Sequence, residues 1–159
     1  MKSRGEYMDN DVAKVIDRTD LIENIINQII TKYISPRKEI IPFFWDIFLN
    51  SSIISLGAKL KLVVLLAREI GFEIKEDPIR RVINLRNAFA HHGLYSHPAL
   101  IVEKTPDEDK SDYQLQIITS SLKLKRMSRE SALKEFNEVY KSAKNILLDL
   151  KKEMDAHLS

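Results

Sequence analysis

The residues best suited to chemistry lie together at positions 85–93, Leu-Arg-Asn-Ala-Phe-Ala-His-His-Gly. A planar guanidinium (Arg86) grips an anion through paired donors. A histidine (His91) exchanges protons near neutral pH. Together they could form a site for proton transfer. On a helical wheel Ile79, Val82, Ile83, Leu85, Phe89 and Ala90 share one arc, and Arg86 falls inside it. Arg80, Asn84, Asn87 and His91 line the opposite, polar side. An arginine within an apolar arc is costly unless something pairs with it. A purely structural reading gives it Asp46 or Glu69 as its partner.

The stretch must be held by a helix beginning at Asp77-Pro78 and running to about His91, with Gly93 as its C-terminal cap. Apolar steps of three and four predict a long first helix over 12–33, ended by Ser35-Pro36. A second helix is expected over about 37–50, carrying the aromatic cluster Phe43, Phe44, Trp45 and Phe48. Pro42 makes its start irregular. Core packing is the expected role of these rings, with base stacking the alternative. A third helix over 56–70 has Ser55 as N-cap and Gly71 as its stop.

Beyond Gly93 two β-branched runs, 100–104 and 113–119, predict a hairpin around the acidic turn 105–112. Ser128 opens a last helix to about Met154, with a near-heptad apolar stripe from Ala132 to Met154. That stripe is either core or a dimer seam. The fold expected is mainly α: an up-down bundle of four to five helices with a small β-hairpin inserted before the last helix. Residues 1–11 are expected as a flexible tail, and 12–159 as one domain.

Composition narrows the function classes. The chain has 159 residues, 44% hydrophobic and 30% charged, as in globular proteins. Its net charge of +2 gives no overall field for nucleic acid, so any anion-binding surface must come from local clusters. Without cysteine there are no disulfides, thiolate ligands or thiol nucleophiles. The polar start and the lack of a long apolar run lead to an expected cytoplasmic protein with no membrane association.

The sequence Arg86-Asn87-Ala-Phe-Ala-His91 resembles the motif of the HEPN (higher eukaryotes and prokaryotes nucleotide-binding) superfamily. There an Arg, often followed by a polar residue, precedes a His near a helix end. The resemblance extends to helix order over about 12–155, and the inserted hairpin is similar to that of some bacterial members. It implies a metal-independent endoribonuclease needing no cofactor, in which two subunits line one cleft. Many such proteins are toxins or act in phage defence, so an antitoxin protein is an expected partner. Carried over, Arg86 and His91 are the catalytic pair and Asn87 the polar third, with His92 as an auxiliary. The alternative is a non-catalytic HEPN-like module for dimerisation, nucleotide or RNA binding, or protein docking.

Ideal helix geometry complicates the pairing, because five residues separate Arg86 from His91 by about 140° around the axis. The helix end must open, or a second subunit must complete the site. Lys59, Lys61, Arg80 and Arg81 are the candidate RNA-binding cations, with the run Lys123 to Arg129 as a further possibility. His91, His92 and His97 lack acids at ligand spacing, so no metal site is expected.

Overall fold

The computed structural model describes residues 4–92, 114–118 and 124–158. Four helices make a bundle: α1 (Arg4–Ile34), α3 (Leu56–Glu69), α4 (Asp77–His92) and α5 (Arg129–His157). Between α1 and α3 the chain makes a 3-10 turn (Lys38–Ile40), one α turn (α2, Ile41–Phe43) and a π turn (Phe44–Phe48). Two strands, β1 (Gln114–Ile118) and β2 (Leu124–Ser128), form an antiparallel pair before α5, with Gln114 opposite Ser128 and Ile118 opposite Leu124. The mainly helical bundle with a small hairpin ahead of its last helix is thus the architecture expected from the apolar spacing.

Helix boundaries follow local chemistry. Ser35 ends α1 in the left-handed region (φ 47), its N–H bonded to the Thr31 carbonyl at 2.8 Å, and Pro36 blocks continuation. Ser55 caps α3 by accepting from Ala58 N at 3.3 Å, and Ser128 caps α5 by accepting from Ser131 N. Gly71 takes φ +76 where α3 stops. Pro78 sits in the first turn of α4, where its missing N–H leaves no helical bond unmade.

The core joins all four helices. Val15, Ile22, Ile26, Ile29 and Ile30 of α1 meet Leu60, Val63 and Ala67 of α3, Ile79, Val82, Leu85 and Phe89 of α4, and Phe136, Ala143, Leu147 and Leu150 of α5. Leu115 of β1 is fully buried beside them, which seats the hairpin on the bundle. The α5 stripe is therefore core. Polar pairs bind α1 to α5 along their length: Asp11 to Arg129, Arg18 to Asn137, Gln28 to Lys151 and Lys32 to Asp155. Positions on both helices advance together, so the two run parallel.

Four expectations change. Residues 4–11 are not a tail; α1 is already helical at Arg4. Helix-compatible Arg4, Glu6 and Met8 extend it, and buried Asp11 pins it through Arg129 at 2.5 and 3.2 Å. The second helix is not regular over 37–50: Pro42 and the i→i+5 bond from Leu49 N to Phe44 O (2.8 Å) divide it. Two of its four rings are not core, for Phe43 is 63% exposed and Phe48 42%, whereas Trp45 is half-buried and Phe44 packs against the core. Only Phe44 and Leu49, brought to one side by the widened turn, reach the interior. Finally, the strand paired with 114–118 is 124–128; the expected partner 100–104 and the acidic turn 105–112 lie outside the described residues.

Candidate functional site

The second half of α4 carries Arg86, Asn87 and His91, and the helix stays regular through His92. Ile79, Val82, Leu85 and Phe89 are buried, which fixes the rotation of α4. That rotation leaves Arg86 half-buried within the apolar arc, while Asn87 and His91 are exposed. Nη1 of Arg86 donates to Oδ1 of Asn87 at 3.3 Å. Among the described residues no carboxylate lies within ion-pair distance of Arg86, so neither Asp46 nor Glu69 is its partner.

The electrostatic neighbour of Arg86 is α1. Burial holds the Asp20 carboxyl above its ordinary value, and repulsion from Glu23 and then Asp17 adds to this, while attraction from Arg86 opposes it. Arg86 thus faces an acidic flank at long range rather than a formed salt bridge. Its paired N–H donors keep capacity for an anion with two oxygens.

Arg86 and His91 are not brought to one point within a single chain. Because α4 does not open near Ala90, the two side chains stay about 140° apart and roughly 7.5 Å apart along the axis. Of the two geometries that would unite them, the opened helix end is excluded by the regular backbone through His92. His92 lies in the last helical turn by its backbone, and His97 and the cap position Gly93 lie outside the described residues.

The four candidate RNA-binding cations divide. Lys59 is a correction: its side chain is 0% exposed, and Nζ donates to Glu23 Oε1 and to the Leu49 carbonyl. Lys59 sits on the inner face of α3 beside Leu60 and Val63, which turns it toward α1 and away from any ligand. Glu23 also accepts from the Ser51 hydroxyl, so one carboxylate ties α1, α3 and the connection between them. Arg81 points inward to Glu135 and the Met127 sulfur. Arg80 is exposed but bound to Glu76 one turn back, at 2.6 and 2.9 Å. Lys61 is exposed. In the run 123–129, Arg126 is exposed on β2, whereas Arg129 holds Asp11.

Sequence reasoning missed the exposed apolar segment between Ile40 and Ile53 and the buried Lys59–Glu23 pair. The Pro42 signal was there for the first. For the second, Lys59 stands beside Leu60 and one turn before Val63 and Val64, a position on the inner stripe that its charge obscured. Among the described residues no helix is long and apolar enough to cross a membrane. No family model, curated protein or solved structure matches the chain.

Proposed function

We propose that this chain is a metal-independent endoribonuclease of HEPN type, acting as a homodimer, of the kind found as the toxin in toxin-antitoxin or phage-defence systems. Arg86 carries the reading: a half-buried arginine with no carboxylate in ion-pair range among the described residues, on the helix end that presents His91. In the proposed reaction neutral His91 takes the proton from a ribose 2′-OH, and that oxygen attacks the adjacent phosphorus. The guanidinium of Arg86 binds the non-bridging oxygens as their charge grows. The bond to the 5′ oxygen breaks, that oxygen is protonated, and a 2′,3′-cyclic phosphate remains. Asn87 keeps the guanidinium oriented. Since one chain holds Arg86 and His91 apart, the histidine acting with a given arginine comes from the second subunit. The test is cleavage of mixed RNAs in chelator, with end-group analysis, for wild type, Arg86→Ala and His91→Ala. Equal decay in all three rejects the reading.

One observation favours a second reading, a non-catalytic module for dimerisation, nucleotide binding or protein docking. Asp17, Asp20 and Glu23 lie on the α1 flank whose charges act with Arg86 on one another, and they repel RNA phosphates. A wild type that dimerises but neither binds nor cleaves RNA selects this reading.

A further inference from the structure

The connection between α1 and α3 exposes apolar side chains to an unusual degree. Between Ile40 and Ile53 the outward residues are Ile40, Ile41, Phe43, Ile47, Phe48 and Ile53, with Phe43 and Ile53 63% and 65% exposed. Two phenylalanines and four isoleucines at such exposures present on the order of 600 Å² of mostly apolar surface, at the top of the range for a monomer's largest patch. The segment is nevertheless held in place. Leu49 is buried, Phe44 packs on the core and stacks on Phe48 at 5.1 Å, and Lys59 grips the Leu49 carbonyl from beneath.

The charges around the face identify its occupant. Exposed Arg37 and Lys38 stand at the start of the segment, and exposed Glu39 and Asp46 within it. Two cations and two acids leave the segment without net charge, so nothing draws it to an anionic lipid surface or to a partner strongly charged in one sign. A face carrying cations at one end and an acid further along complements itself when two copies pack antiparallel, since Lys38 of each then meets Asp46 of the other. Two such faces bury roughly 1,200 Å² in total, the lower end of stable specific interfaces. We propose that the exposed apolar face between Ile40 and Ile53 is the interface between two copies of this chain, packed antiparallel about a two-fold axis near Phe43. The inference rests on the two-subunit part of the function proposed above, and the area and charge arguments hold without the nuclease. One end of the segment reaches the α1 flank that faces Arg86, because Glu23, which accepts from Ser51, is one turn from Asp20.

The experiment is sedimentation equilibrium of the full chain, with RNA cleavage assayed in parallel. The wild type is expected to be a dimer. Phe43→Asp is expected to raise the dimer Kd roughly thirtyfold or more, the effect of losing a central aromatic anchor, with helical circular dichroism retained. Lys38→Glu and Asp46→Lys are each expected to weaken the dimer several-fold, and the double variant to restore it. Restoration cannot come from misfolding, so this arm holds even if Phe43→Asp unfolds. A monomeric wild type, a dimer indifferent to all these changes, or a double variant weaker than either single overturns the proposal. So does a monomer that binds phosphatidylserine vesicles through Phe43. An intact Phe43-dependent dimer that leaves RNA uncut strikes the nuclease reading alone.

Discussion

At the residue scale, burial separates cations that look alike in sequence. Lys59 and Lys61 are two positions apart on α3, yet one is sealed under Leu49 and the other is exposed. Position on the helical wheel decides which, and a charged residue on the inner stripe is read as surface unless its partner, here Glu23 from a distant helix, is known. Lys59→Ala is expected to cost about 3 kcal/mol or more in urea unfolding, because Glu23 loses its buried cation and the Leu49 carbonyl its donor. A loss under about 1 kcal/mol would contradict that pairing. Asp20 gives a pH signature. Burial, then repulsion from Glu23, raises its pKa, so the folded state binds the proton more tightly than the unfolded chain. Its charge therefore lowers stability above the folded pKa, and the penalty fades as pH falls toward the ordinary value of 3.8. Asp20→Asn is expected to raise Tm at neutral pH, with the gain shrinking on acidification to about pH 4; a pH-independent gain contradicts the assignment.

At the element scale, legibility tracked how much of each helix is amphipathic. The α4 arc of Ile79, Val82, Leu85 and Phe89 and the α5 stripe from Ala132 to Leu150 repeat every three or four residues, and both became core. The Ser55 and Ser128 caps were equally readable, since a short hydroxyl before an apolar run satisfies the first free N–H groups. Ser128→Ala is expected to cost about 1 kcal/mol in thermal or urea unfolding, and an unchanged midpoint would mean the cap contributes nothing. Two elements escaped because periodicity says nothing about them. The first turns of α1 are too polar to show a stripe. Residues 40–49 are apolar but for Asp46, which suggests burial, yet Pro42 and the π turn interrupt the helix and most of the apolar groups there are exposed. Strand β2, Leu-Lys-Arg-Met-Ser, looked like part of a charge run; Arg126 is exposed on it and Met127 packs against the core.

At the scale of the whole molecule, burial of Ile79, Val82, Leu85 and Phe89 fixes the rotation of α4, and its regular backbone sets Arg86 and His91 about 140° apart around the axis. The nuclease action proposed above therefore needs a second copy, and activity is expected to fall with dilution below the dimer Kd, which a concentration series reads directly. Arg86→Lys should fare little better than Arg86→Ala, since an ammonium cannot offer the paired donors of a guanidinium. The most direct measurement is single-turnover cleavage of an RNA in chelator, beside the same strand with 2′-deoxyribose at the cleaved position. The account predicts 2′,3′-cyclic phosphate ends from the wild type, none from the deoxy strand, and losses of roughly a hundredfold or more for Arg86→Ala and His91→Ala. Intact RNA with the wild type, or cleavage that survives both substitutions, would contradict it.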